Sequence, residues 1–389
     1  MAHRIYFEYA PEFLDSGLHL SPFKLPLVGG LAEHTDRAFG PLHGLFDDSL
    51  PDGWGLLLMD RHFRANGIDI SGVTAIDRLA YLGTRTMGAL TYHPEQEWKP
   101  DNRALDLLRL ERNAHAVFSG AAKVVLPELM CAGGSPGGAR PKVLVGLDEK
   151  GQSCLSGEGD LPRGFAHWMV KFASQEDARD AGPIEYAYAL MAKCAGVTMP
   201  DVQLMTVKEG RTTSRFFAVK RFDRGLESAR HHVHTLGNMV YANFRIPSLD
   251  YADIFKVTRA LTRDHRDVLA LFRLMAFNVA ARNRADHAKN FAFILDASTK
   301  DWSLAPAYDL TFSAGPGGEQ SMSVAGEGKA PTKSQLITVA EQTGIRRRDA
   351  EAALGEVAAA LARWREFADQ AQCTKKTTDT IARAIGFVE

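Results

Sequence analysis

The segment that most restricts how this chain can fold runs from Asp267 to Asn290. The stretch DVLALFRLMAFNVAARN (267–283) is apolar nearly all round, as a helix buried on every side must be. It passes without a spacer into the polar run Asn283-Arg-Ala-Asp-His-Ala-Lys-Asn290, and that run passes directly into the strand-like FAFIL (291–295). A polar turn between a core helix and a core strand is held by rigid elements yet exposed at their ends, where reactive groups are usually carried. A second short strand, WSLAP (302–306), returns the chain and is followed by Tyr308-Asp309-Leu310. The predicted hairpin brings Asn290 and Asp309 together. An amide and a carboxylate are hard oxygen donors of the kind Mg²⁺ prefers.

Upstream, the punctuated stretch Cys131-Ala-Gly-Gly-Ser-Pro-Gly-Gly-Ala-Arg-Pro-Lys142 precedes the strand-like run VLVGL. Its backbone N–H groups could wrap a phosphate, with Lys142 adding charge, although the Walker pattern is absent and a plain turn is the bland alternative. Lys171 sits inside the apolar strand HWMVKF (167–172), either on an exposed face or bound to an anion, since a buried unpaired ammonium is costly. Glu185, on the helix predicted over 182–197, is a candidate partner for it. Strands follow around DVQLMTV and RFFAVKRFD. This order, a β-rich segment with one internal helix and then a helical segment interrupted by a hairpin, is that of protein kinases and their relatives.

Residues 1–95, rich in Gly and Pro, carry short apolar runs (RIYFEYA, HLSPFKLPL, GLLLM, GALTYHP) and predict a small unit of short strands with one or two helices. A helical pattern spans about 103–131, and EAALGEVAAALARWREFADQAQ predicts one amphipathic C-terminal helix. A length of 389 residues exceeds one simple core. Hydrophobic residues at 45% and charged residues at 24% suit a globular protein, and a net charge of −1 gives no overall footprint for nucleic acid. Four scattered cysteines without a CxxC pair argue against a zinc ribbon or disulfide framework. With neither an apolar signal region nor a membrane-spanning run, a cytoplasmic location is expected.

Two other constellations are set aside. Arg230-His-His-Val-His234 has no further ligand at metal spacing and predicts a solvated loop. A hydrolase triad drawn from Ser135, His287 and an aspartate lacks the GxSxG elbow, and Pro136 stands where an oxyanion N–H is needed.

Taken together, Ser135-Pro-Gly-Gly-Ala-Arg-Pro-Lys142, Trp168-Met-Val-Lys171, Glu185-Tyr-Ala-Tyr188, Val219-Lys-Arg-Phe-Asp-Arg224, Asp286-His-Ala-Lys-Asn-Phe291 and Ala307-Tyr-Asp-Leu310 resemble the HipA family of type II toxin–antitoxin serine/threonine kinases. Leu50-Pro-Asp-Gly-Trp-Gly55 and Tyr81-Leu-Gly…Met87-Gly-Ala-Leu90 resemble that family's N-terminal subdomain. The resemblance runs through nearly the whole chain in the family's order. It implies an α+β, two-lobed kinase-like fold, with a subdomain over 1–100, a Gly-loop region over 101–225 and a helical lobe over 226–389.

By the same resemblance, Gly137, Gly138, Ala139, Arg140, Pro141 and Lys142 would form the phosphate loop, and Ser135 would be the self-phosphorylated serine that ejects it. Lys171 would hold the α/β-phosphates of ATP, and Lys220, Arg221 and Phe222 would be the hinge against adenine. His287, Ala288, Lys289 and Asn290, with Tyr308 and Asp309, would complete the phosphate and Mg²⁺ site. The substrate would be a protein, typified in the family by an aminoacyl-tRNA synthetase. A HipB-type helix-turn-helix antitoxin would supply contact with operator DNA.

One departure matters. The family's catalytic aspartate lies five residues before the metal-binding asparagine, and counting back from Asn290 gives Ala285. Asp286, the remaining catalytic candidate, is displaced by one residue. In extended backbone that is over ~3 Å and a change of side, and errors of ~1 Å already cost about 10²-fold. Very low kinase activity with retained ATP binding is expected. Ala285 is read either as a substitution that silences a toxic kinase or as the mark of a natural pseudokinase serving as an antitoxin-binding co-repressor. A small-molecule or lipid kinase is the third reading, against which stands Ser135 in a self-phosphorylation context.

Overall fold

The computed structural model of the chain describes residues 4–95, 104–121, 125–133, 137–151, 153–173 and 180–388. Its strands, in chain order, begin with the short antiparallel pair β1 (Tyr6–Phe7) and β2 (Ala32–Glu33). Next come β3 (Lys142–Asp148), β4 (Cys154–Ser156), β5 (Phe165–Lys171), β6 (Val202–Glu209) and β7 (Thr212–Lys220), then β8 (His232–Thr235), β9 (Ala292–Leu295) and β10 (Trp302–Leu304). The chain divides into two compact units that are interleaved in sequence. One comprises 1–45, 183–200 and 233–389, and the other 46–182 and 201–232. The sequence predicts three consecutive segments instead.

The second unit is built on an antiparallel sheet in the order β4-β3-β5-β7-β6. The run Lys142–Leu147 in β3 is buried along its length, which explains an apolar run without alternation. The core packs Val143, Val145, Val170, Phe216 and Ala218 of the sheet with Trp54 and Leu58 of the Gly53–Ala65 helix and Leu110, Ala114 and Val117 of the Leu107–Phe118 helix. GLLLM, one of the short apolar runs expected to form strands or one of one or two helices, lies inside a helix. Trp54, Leu58, Met59 and Phe63 are buried at helical spacing, and the flanking leucines made the run look continuous. The Ala75–Leu82 helix opens on a reciprocal capping box between Thr74 and Asp77.

The first unit is mostly helical. Its central helix, His265–Ala280, buries every residue from Leu274 to Ala280, as the apolar pattern required. Asp264 caps it by accepting from the Arg266 N–H at 2.8 Å. The predicted single C-terminal helix is two, Arg347–Ala362 and Trp364–Gln370, with the break at Arg363. The break aims the buried Trp364 indole at the Thr378 carbonyl, 3.0 Å away. β9 and β10 pair antiparallel, and β8 lies beside β9.

Histidines anchor residues 1–45 within this unit. Ser21 Oγ meets His234 Nε2 at 2.9 Å, and His43 Nδ1 meets the Tyr241 hydroxyl at 2.9 Å. A Cβ at Gly44 would stand 1.9 Å from the Asn238 carbonyl oxygen, so only glycine lets the two backbones meet. Within the solvated loop expected over 230–234, the part from His232 onward is instead a strand, His232–Thr235, with His232 and His234 buried. Strand alternation sends both imidazoles to one interior face, where Ser21 offers His234 a hydrogen bond. Among the described residues no helix is long and apolar enough to cross a membrane, and no cluster of three metal-ligating side chains occurs.

Candidate active site

Pairing of β3 with β5 sets Lys142 directly opposite Lys171. Opposed side chains lie on one face, about 4.5–5.5 Å apart at Cβ. Both lysines are buried, at 6% and 9% exposure, which removes the exposed-face reading of Lys171. Two ammonium groups on one face of the sheet offer positive charge of the kind that anions such as phosphate bind. Lys142 Nζ donates to the Gly137 carbonyl at 2.6 Å, and Lys171 Nζ lies 5.7 Å from the centroid of the Phe217 ring. In the loop ahead of β3, Gly137 and Ala139 are exposed and Gly138 and Arg140 half-buried. Pro141 is buried and accepts from the Phe172 N–H at 2.9 Å, which ties the loop to the sheet. Ser135 lies outside the described residues.

At the far end of β7, the Lys220 N–H donates to the Asp201 carbonyl at 2.9 Å. Its ammonium stands 3.6 Å from the Asp201 carboxylate in an exposed pair that contributes little. The expected hinge continues through Arg221, whose N–H donates to the His167 carbonyl at 2.9 Å. The Arg221 side chain, however, turns inward and binds Asp223 through two bonds of 2.9 and 2.7 Å. Asp223 also accepts from Arg224 and from the Gly88 N–H, both at 2.8 Å. Burial alone would raise the Asp223 pKa, but the charge and bonds of Arg221, then Arg224, outweigh it and hold the carboxyl far below the usual range. Arg224 and Arg230 reach on to the carbonyls of Thr84, Thr86 and Gly88. This buried network fixes the hinge to the 84–88 loop. Sequence reasoning passed over it, although Arg221-x-Asp223-Arg224 is its trace.

In the other unit, the polar run after the central helix is braced residue by residue. Tyr188, on the Ala181–Cys194 helix with the buried Glu185, donates its hydroxyl to the Ala281 carbonyl at 2.6 Å. Asn283 donates to Asn278 at 3.0 Å, Asn278 donates to the Tyr251 hydroxyl at 3.1 Å, and Tyr251 donates to Asp286 Oδ2 at 2.8 Å. The Ser321 N–H closes the set at Asp286 Oδ1, 2.8 Å away. Asp286 is 1% exposed. Its carboxylate is a brace inside the loop, which corrects its place among the catalytic candidates. Ala285, half-buried, is the neighbour left outside this network.

Burial raises the Asp286 pKa to about 6, against the lowering pull of the Tyr251 and Ser321 bonds. A folded pKa above the unfolded value stabilises the fold fully below about pH 4, and that stability is lost as pH rises through about 6. The difference is about 3 kcal/mol. Asp286→Asn should therefore remove it: between pH 4 and pH 8, wild type loses about 3 kcal/mol relative to the variant. Urea midpoints measured across that range check this.

His287 and Lys289 flank the Phe244 ring, the imidazole 5.2 Å from it and the Lys289 ammonium 4.9 Å. Ala288 between them is buried, and the Asn290 N–H closes the turn on the His287 carbonyl at 2.8 Å. Asn290 Nδ2 donates to the Ala285 carbonyl at 2.7 Å, which leaves its Oδ1 as an acceptor for a cation. The hairpin does bring the two strand ends together. Ala305 N–H donates to Ala292 at 2.9 Å, and the Tyr308 hydroxyl donates to the Lys289 carbonyl at 2.6 Å. Asp309 holds φ at 59°, a sparsely populated backbone that clusters at functional sites.

Comparison with known proteins bears on both halves. The HipA N-terminal domain family matches residues 1–93, and the HipA-like C-terminal domain family matches residues 134–364. The structure is similar to HipA of the Shewanella oneidensis MR-1 toxin–antitoxin system, solved with HipB and its operator DNA. Identity is 17%, coverage 97% of this chain and 88% of that one, and the TM-score 0.68. The Helicobacter pylori proinflammatory kinase CtkA aligns with 56% of this chain and 90% of its own, at 10% identity and a TM-score of 0.36. No curated protein matches the chain in sequence. The likeness to HipA shows a mixed α and β fold of the HipA kind, as the motif order implied. With matches over 1–93 and 134–364, the chain belongs to the HipA family.

Proposed function

We propose that this chain is a HipA-type protein serine/threonine kinase silenced at position 285, which still binds ATP with Mg²⁺. The opposed, buried pair Lys142 and Lys171 beside a glycine-rich loop carries this reading, because two ammonium groups set on one face of the sheet suit a polyphosphate. Asn290 and Asp309 fit Mg²⁺ as hard oxygen donors whose remaining ligands would be phosphate oxygens and water. When bound, the metal would neutralise charge developing on the transferred phosphoryl group.

The residues of the chain do the rest. Lys171 and Lys142 hold the phosphates, the backbone of Lys220–Phe222 receives the base, and the Asp286 brace fixes the loop that carries position 285. The parent enzyme would pass the γ-phosphoryl to a protein Ser or Thr, with an aminoacyl-tRNA synthetase and its own Ser135 as substrates. Solution of the similar Shewanella HipA with HipB and operator DNA supports a HipB-type antitoxin as partner, through which this near-neutral chain would reach DNA in the cytoplasm. A natural pseudokinase that keeps only the antitoxin-binding role is the second reading, favoured by Ala285 itself, whereas the intact braces around it favour a substitution that silences the kinase. The codon at 285 in the source genome separates the two.

Calorimetric titration with Mg·ATP and with adenosine tests the binding claim. Lys171→Ala should weaken ATP about 10- to 100-fold, as loss of a charged hydrogen bond does, and leave adenosine nearly unchanged. No detectable ATP binding by the unaltered chain would sink the proposal.

A further inference from the structure

Three consecutive residues, Asp52-Gly53-Trp54, grip the glycine-rich loop from outside the segment that forms it. Asp52 Oδ1 accepts from the Gly138 N–H. The Trp54 N–H donates to the Gly138 carbonyl at 3.0 Å, and its indole Nε1 donates to the Lys142 carbonyl at 3.0 Å. One tripeptide thus holds Gly138 by both its backbone groups and fixes the residue that carries the Lys142 ammonium.

Gly53 lies against the loop. A Cβ there would stand 2.7 Å from both the Gly138 oxygen and the Ala139 Cα, and its φ of 46° already disfavours any side chain. Asp52 also occupies the N-cap position of the Gly53–Ala65 helix, where an aspartate ordinarily accepts from its own helix's first amides. It makes no such cap bond, and its carboxylate goes to the loop instead. Simple helix-to-loop packing does not require that diversion.

We propose that Asp52-Gly53-Trp54 is a positioning clamp for the phosphate loop, setting where the Gly138 amide and the Lys142 ammonium meet the phosphates. This rests on the nucleotide-binding reading above. It gives residues 50–55, within the HipA N-terminal domain match, a part in nucleotide binding. The clamp acts through the loop and touches no reacting atom.

The test uses the full-length chain with three variants. Asp52→Ala removes the acceptor, Asp52→Asn keeps an oxygen at the same place, and Gly53→Ala pushes the loop away. Hydrogen exchange at the Gly138 amide, without nucleotide, should quicken at least about tenfold in D52A and G53A and stay near wild type in D52N. In the same proteins ATP and ADP should bind about tenfold more weakly in D52A and G53A, with adenosine within about twofold of wild type. D52N should restore tight binding.

Unchanged exchange at Gly138 in D52A overturns the clamp. So does an adenosine affinity that falls in parallel with ATP, since general destabilisation moves both. Failure of the unaltered chain to bind ATP or adenosine would instead remove the nucleotide reading, and the exchange arm would still decide whether the clamp exists.

Discussion

Replacing Ala285 by aspartate should raise phosphoryl transfer by about 10²- to 10⁴-fold over the chain as it stands, the usual contribution of a positioned proton acceptor. The loop that would carry this aspartate is already set. Asn290 holds the Ala285 carbonyl, and the Asp286 carboxylate is fixed from the next residue by Tyr251 and the Ser321 amide. The new carboxylate would therefore arrive on a backbone that needs no rearrangement, a condition for catalytic groups to act at full strength. Asp286 cannot stand in, because turning it outward would strip Tyr251 and Ser321 of their buried acceptor. Phosphate incorporation from labelled ATP into the chain, and phosphoserine at 135 by mass spectrometry, are the measurements. If A285D shows no gain while binding ATP normally, the register that assigns position 285 is mistaken.

Removing the Asp223 carboxylate should be the most destabilising single change in the other unit, at about 3–5 kcal/mol. Asp223 joins Arg221, Arg224 and the Gly88 amide in the interior, and Glu158 is the further carboxylate whose charge acts on these arginines. In Asp223→Ala two guanidinium groups keep their burial and lose their closest counter-charge, which costs far more than an intact pair contributes. A loss of that size is a large share of a typical total stability of ~5–15 kcal/mol. The expected readout is a lower urea midpoint at an unchanged slope. Asp223→Asn should recover little, since it restores shape and not charge. A loss under about 1 kcal/mol for D223A would show that the arginines relax into solvent and that the network does not hold the hinge.

The parts of the fold legible in the sequence are those where the physics is local. The central helix announced itself because burial on all sides demands apolar residues at every turn, and Leu274–Ala280 are all buried. The β9–β10 hairpin was legible because two short apolar runs flank a polar turn. Lys171 stood out as a charge within an apolar strand, yet its pairing opposite Lys142 depends on strand register, which spacing along one chain does not fix.

The errors share a cause. His232 and His234 resembled a solvated cluster because Ser21, which satisfies one of them, is remote in sequence. Asp286 was legible as one residue out of catalytic register but not as a brace, because the groups that claim its carboxylate, Tyr251 and Ser321, lie 35 residues away on either side. Long-range polar partners decide the direction of a side chain, and a local motif does not contain them.

The interleaving of the two units also governs the order in which a growing chain can fold. The unit formed by 46–182 and 201–232 has all its residues once position 232 has left the ribosome. The other must wait for the end. Ser21 needs His234, His43 needs Tyr241, and Tyr188 needs Ala281. At ~5–20 residues per second, synthesis of the segment 233–389 takes on the order of ten seconds or more. For that interval the first 45 residues, with Tyr9, Leu25 and Leu42 destined for burial, remain without their full set of native partners. A nascent chain is therefore exposed to misfolding early, and the loop bearing position 285 is assembled only after the sheet with its two lysines is complete.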